Sequence, residues 1–201
     1  MRFFVFLVFA TATPLFSVAQ SYAVKEMMKE IYGQYEVDEN GNVTYVDILE
    51  NLNMSKEEIY DRAKSFFIYT YNDADAVIQE DDKDDGTLIG KGVFINVHHG
   101  YKIASVTYDS FHILRIDAKD NRCRIVLTLT DYHIRSVYDG AVNESDTPVS
   151  HFYPINVNAG NKTMTGKAFY NTHIQAQRLI LSAADAVIYG NTSQNIDTDD
   201  W

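Results

Sequence analysis

The sequence predicts a single α+β domain: one curved antiparallel sheet with two helices packed on one face. Three observations carry that reading. Ser55-Lys56-Glu57-Glu58 opens an amphipathic helix, the segments flanking DKDDG and KDNR alternate as hairpin strands do, and a long helical pattern from Thr165 to Tyr189 closes on Gly190. At 201 residues the chain is long enough to bury one core and short for two.

The first residues read as a targeting segment. Arg2 supplies a positive end, Phe3 to Ala10 an apolar run, and Ser17-Val18-Ala19 the small residues that a signal peptidase reads. The run is too short to span a bilayer, and no cysteine follows it to take a lipid, so no stable membrane anchor is expected. The expected product is exported, periplasmic or extracellular after cleavage near Ala19. The expected organisation is a signal peptide over 1–19, an N-terminal segment with a frayed helix over 20–39, the domain over 40–190 and a mobile acidic tail over 191–201.

Asp38 to Asn42 is turn chemistry, with Asn40-Gly41 supplying positive φ. Val43 to Leu49 follows as a strand with Val43, Tyr45, Asp47 and Leu49 on one face. From Ser55, the residues Ile59, Ala63, Phe66, Phe67 and Thr70 recur at helical spacing, and Arg62 and Lys64 are expected to face water. Ala76 to Asp81 and Thr87 to His98 form a hairpin around an acidic tip. Gly90 and Gly92 leave a gap on one face of the second strand, which a bulky residue from a helix or a bend would use. Tyr108 to Asp117 and Cys123 to Arg135 form a second hairpin. With Ile116 opposite Ile125, one face carries His112, Leu114, Ile116, Ile125, Leu127 and Leu129, the predicted core. The other carries Phe111, Ile113, Arg115, Thr128, Thr130 and Tyr132, the candidate ligand or partner face. Asp139 to Thr163 shows no periodicity and reads as a long loop pinned by His151-Phe152-Tyr153-Pro154.

Charge and motif content exclude several classes. With 17 basic against 28 acidic side chains and a net charge of −11, the chain repels phosphate backbones, so nucleic acid is not an expected partner. The acidic tip fails as a calcium loop, because counting from Asp81 puts Lys83 third and Gly92 twelfth. Of six histidines, only His98-His99 are close in sequence, and neighbours on a strand point apart. In the register above, His112 and His133 share a face but lie roughly 13 Å apart. No metal site and no cofactor are expected. Cys123 sits in an apolar run and reads as a small buried hydrophobe. No G-x-S-x-G elbow is present, and no pair among the acids stands out as catalytic.

The order strand, helix, four antiparallel strands, helix is the β-α-β(4)-α order of one half of the TATA-binding-protein (TBP) fold. Ser55-Lys56-Glu57-Glu58-Ile59-Tyr60 with its aromatic helix, then Ala76-Val77-Ile78, then Ile89-Gly90-Lys91-Gly92, resembles a family of exported bacterial domains of unknown function, typical of Bacteroidetes, with a TBP-like fold. The resemblance covers roughly residues 40–190 and is strongest over 54–92. It implies the fold and brings no activity, substrate or catalytic residue, since function lives in sites and not in folds.

The functional expectation is a non-catalytic exported binding or interaction module that uses the open sheet face and the 139–163 loop to hold an unknown protein or a small ligand. The alternatives are a self-associating structural envelope protein, which predicts a homodimer, and a glycan or cell-wall hydrolase with acids and histidines near the same loop.

Overall fold

The computed structural model describes residues 15–71, 77–101 and 104–190. Residues 1–14 of the expected signal peptide over 1–19, the start of the predicted third strand at Ala76, and the tail from Asn191 lie outside the described residues. Among the described residues, helices run over Leu15–Glu30 (α1), Lys56–Thr70 (α2) and Lys162–Tyr189 (α3). The strands are Glu36–Val37 (β1), Val43–Glu50 (β2), Ile78–Asp82 (β3), Thr87–Tyr101 (β4), Ser105–Lys119 (β5), Arg122–Tyr138 (β6) and Ala141–Pro148 (β7). They form one antiparallel sheet in the order β1-β2-β6-β5-β4-β3, and β7 continues beside the far half of β6 where β2 ends.

Strand β5 sets the geometry. Tyr108, Ser110, His112, Leu114, Ile116 and Ala118 all point inward and are buried without a break in alternation. Ile116 pairs with Ile125, as the sequence implies, and Leu114 with Leu127. Both neighbouring strands, in contrast, carry bulges. Between Phe94 and His98, three residues of β4 face the single Asp109 of β5. Asn96 takes positive φ there, and its N–H donates to Asp109 Oδ1 at 2.6 Å. On the other side, Thr130 and Asp131 of β6 together oppose Phe111, between the pairs Ser110–Tyr132 and His112–Leu129. A bulge bends its strand and raises the local twist, so two at one level curve the sheet around the helices.

Helix α2 begins where the capping box predicts. Ser55 Oγ accepts from the Glu58 N–H at 3.2 Å. Glu58 does not reach back, because its carboxylate is held by Arg62 at 2.8 Å. Arg62 is not turned to water either. It donates to the Val187 and Ile188 carbonyls at 2.9 and 2.7 Å, a cation on the unsatisfied C-terminal end of α3. Lys64 pairs with Asp81 at 2.6 Å, and Tyr60 donates its hydroxyl to the same carboxylate.

The glycine gap on β4 is filled by a helix residue. A Cβ on Gly90 would lie 2.5 Å from the Phe67 ring, and one on Gly92 would lie 2.6 Å from His112 Nε2. His112 is stacked on Phe94 at 4.1 Å with its Nε2 at 3.2 Å from the Tyr71 hydroxyl. Burial pushes its pKa down to about 4. Cys123 is free and buried, and burial raises its thiol to about 12.

Three expectations are corrected here. The N-terminal helix is not frayed at its C-terminal end but docked: Val24 and Ile31 are buried, and Val24 sits against Gly166 of α3. Tyr170 donates to Glu30 at 3.0 Å. The aperiodic stretch from Asp139 is largely a strand. Asp139 and Gly140 take the positive φ of a tight hairpin, and β7 pairs with β6 from Ala141 to Pro148. It escapes detection because its residues are exposed on both faces, leaving nothing to alternate. After it, Val149 is buried and Phe152 packs on Tyr132 at 5.8 Å, so the apolar cluster does anchor the segment. Finally, His112 and His133 lie on opposite faces, because the β6 bulge falls between them.

Two predictions follow from this packing. Gly90→Ala forces a methyl into the Phe67 ring and is expected to lower unfolding stability by about 1–3 kcal/mol in urea titrations, with Phe67→Leu in the same chain recovering part of the loss. For His112, the native pKa of about 4 lies below the ordinary 6.5, so the unfolded chain binds the proton first. Stability is then complete above pH 6.5 and falls as pH drops toward 4, by about 3 kcal/mol for this group alone. His173, buried against Tyr45 and Gln34 and likewise depressed by burial, acts in the same direction. A stability profile flat from pH 7 to 4.5 would contradict this.

Candidate functional site

With α2 and α3 covering the inner face, the outer face of the sheet carries no helix among the described residues. Its side chains fall in cross-strand rows. Thr44, Thr128, Ile113 and Lys91 stand in register, as do Val46, Val126, Arg115 and Ile89, and then Ile48, Arg124, Asp117 and Thr87. Phe111 faces Val93 one row beyond the first of these. Ile95 at 71%, Ile48 at 57% and Phe111 at 37% are exposed, with Val46 and Val93 between them. Five large apolar side chains on one face form a patch of the kind that marks a binding surface, where scattered ones would need no explanation.

The third row ends in a concavity of about 480 Å³ whose lining includes Ile48, Asp85, Thr87, Arg115, Asp117, Lys119, Arg122 and Arg124. Asp117 is its pivot. Its Oδ1 accepts from Arg115 Nε at 2.8 Å and from the Thr87 hydroxyl at 3.2 Å, while Oδ2 accepts from Arg124 Nε and Nη2 at 2.9 and 2.6 Å. Burial alone would raise this carboxyl. The hydrogen bonds and charges of Arg124 and Arg115 outweigh it and hold Asp117 below the ordinary carboxylate value. One carboxylate thus fixes two guanidinium groups side by side on an open sheet.

Of the six residues singled out from sequence, Phe111, Ile113, Arg115, Thr128 and Thr130 lie on this outer face, and Thr44 and Thr128 bring their hydroxyls to 3.4 Å. Tyr132 does not. The extra residue at Thr130–Asp131 reverses the alternation, and Tyr132 is 1% exposed in the core, with its ring edge-on to Tyr108 at 6.0 Å. Ser110 Oγ and His112 Nδ1, buried nearby, find no hydrogen-bond partner among the described residues. Arg122, Arg124, Asp117 and Lys119 were not singled out. Their signal is the spacing of two in Arg115-x-Asp117-x-Lys119 and in Arg122-x-Arg124, which a known hairpin register places opposite one another.

Elsewhere, His133 Nδ1 and Asp146 Oδ1 lie 2.7 Å apart on the arm formed by β6 and β7, and this bond raises the histidine pKa. His98 and His99 line a separate concavity of about 290 Å³ beside the first turn of α3, with Lys162 and Lys167. Among the described residues, no three His, Cys, Asp or Glu side chains gather as metal ligands would.

An α+β domain with two helices on one face of a curved antiparallel sheet and the other face open defines a TBP-like fold. Residues 45–133 match the family model described as a domain of unknown function (DUF4468) with TBP-like fold. The structure is similar to a TBP-like protein from Parabacteroides distasonis, with a TM-score of 0.57 at 19% identity, covering 77% of this chain and 97% of that one. It is also similar to a DUF4468 family protein from Bacteroides ovatus, with a TM-score of 0.51 at 16% identity over 78% and 91% of the two chains. At these identities the likeness establishes the fold. No functionally curated protein matches the chain.

The two aromatic residues at the β6 bulge make opposite predictions. Phe111→Ser on the outer face should change unfolding stability by no more than about 0.5 kcal/mol, as surface substitutions do. Tyr132→Ser should cost about 3–5 kcal/mol by emptying a core position. Equal effects in thermal or urea unfolding would contradict the face assignment.

Proposed function

We propose that this chain is an exported, non-catalytic binding module that holds a small, largely apolar ligand on the outer face of its sheet. The observation that carries the reading is the exposed apolar set on the outer face, Val93, Ile95 and Phe111 on β4 and β5 and Val46 and Ile48 on β2, the last lining a concavity of about 480 Å³, a volume in the range of small-molecule sites. The export part rests on Arg2, the apolar run Phe3 to Ala10 and the Ser17-Val18-Ala19 triplet. A second reading, a homodimer formed through the same face, is favoured by the high exposure of Ile95 beside Val93 and Phe111.

The neutral fluorophore N-phenyl-1-naphthylamine separates these readings when paired with light scattering. A small-ligand face predicts a monomer over a hundredfold concentration range, and saturable dye binding that is weakened in the Ile48→Ser, Phe111→Ser double variant. A mass that doubles with concentration and returns to monomer in Phe111→Ser would replace the ligand reading with self-association.

A further inference from the structure

We infer that the concavity at the end of the outer face anchors an anionic group, so that the ligand is an amphipathic anion: an apolar body on the sheet with a carboxylate, sulfonate or similar group at one end. This rests on the outer face being the ligand site, and it adds the chemistry of one end of the ligand.

The argument begins with how the two central arginines are used. Arg115 gives Asp117 only its Nε, and Arg124 gives Nε and Nη2. Both Nη groups of Arg115 and the Nη1 of Arg124 make no hydrogen bond to other described residues. The guanidinium planes are therefore oriented by Asp117 while a further edge of each stays available, the geometry that suits a planar oxyanion. Two more cations join them. Arg122 and Lys119 occupy facing positions at the ends of β6 and β5, on the same face, and neither makes an ion pair among the described residues. The acids that line the concavity are Asp117, already enclosed by two arginines and Thr87, and Asp85; beyond the lining, Glu50 stands in register with Arg122, Asp82 stands in register with Thr87, and Asp120 in the adjoining turn accepts from the Lys56 N–H at 2.9 Å. The lining itself holds four cations, Arg115, Lys119, Arg122 and Arg124, against two acids, a local excess of positive charge in a chain whose acidic side chains outnumber its basic ones 28 to 17.

The apolar component is supplied by the same concavity. Ile48 lines it, and Val46 and Val126 stand in the next row. A hydrocarbon or aromatic body lying over these residues would put its charged end among the arginines.

The test compares two dyes that share one apolar body: 1-anilinonaphthalene-8-sulfonate, which carries a sulfonate, and N-phenyl-1-naphthylamine, which carries none. With the full chain, the sulfonate dye is expected to bind about tenfold more tightly than the neutral one, the discrimination that one charge-assisted contact provides. The Lys119→Gln, Arg122→Gln double variant, which breaks no ion pair and should melt at the native temperature, is expected to erase that advantage. It should leave the neutral dye within about twofold. Lys91→Gln, an exposed cation on the same face away from the concavity, should change neither. Equal affinity for the two dyes, or a sulfonate affinity indifferent to the double variant or equally sensitive to Lys91→Gln, overturns the anion anchor. In those cases, saturable binding of the neutral dye would still leave the outer face as a ligand site. Binding of the sulfonate dye alone, lost in the double variant, would keep the anchor and remove the apolar-ligand reading. Binding of neither dye would end both.

Discussion

The alternation of strand β5 is the constraint on which the rest of the molecule depends. From Tyr108 to Ala118 every second side chain turns inward, and the strands on either side absorb the irregularity that curvature requires. Had β5 carried a bulge of its own, Leu114 and Ile116 would have exchanged faces with Ile113 and Arg115, since a shift of one residue reverses a strand. The core and the open face would have been lost together. By displacing the extra residues to β4 and β6, the fold bends while its central strand keeps one face for the helices and the other for water. The open backbone at the β4 bulge is in turn satisfied from the helix layer, where the Asn171 amide donates to the Val97 carbonyl at 2.6 Å.

The helix layer is held to this sheet by shape as much as by apolar area. Phe67 enters the gap that Gly90 leaves, and His112 and Tyr71 meet over Gly92. Interiors are packed near crystalline density, so a strand with two missing side chains is useful only if something of matching size fills the space. The burial of neutral His112 and His173 in that layer gives the core a titratable component, whereas the outer face is governed by permanently charged arginines. The inner face therefore responds to acid through its buried imidazoles, while the arginine charges around Asp117 stay constant over the same range.

Much of the fold is legible in the residues because local chemistry and tertiary structure agree there. Ser55 caps a helix in any context, the Ile116–Ile125 register follows from burying two apolar rows, and a paired glycine gap implies a filler. The candidate face is legible only up to the β6 bulge. Thr130 and Asp131 are ordinary strand residues, and nothing in them announces that Tyr132 will point inward. The arginine-lined corner depends on which ends of two hairpins meet, and its meaning comes from Asp117 serving two partners at once. Strand β7 and the role of Arg62 escape for a related reason. The first is specified by pairing alone, and the second by an interaction across more than a hundred residues of chain.

The seat of α1 has a consequence for the order of events in the life of the chain. Val24 and Glu30 find their partners at Gly166 and Tyr170, and the Tyr170–Glu30 contact closes a separation of 140 residues. A ribosome making this protein releases the first helix long before the last one exists, so the N-terminal segment has no place to dock until synthesis is nearly complete. Throughout that interval the segment ahead of the domain stays available to whatever machinery reads nascent N-termini. The contacts that finally dock α1 thus also delay its docking.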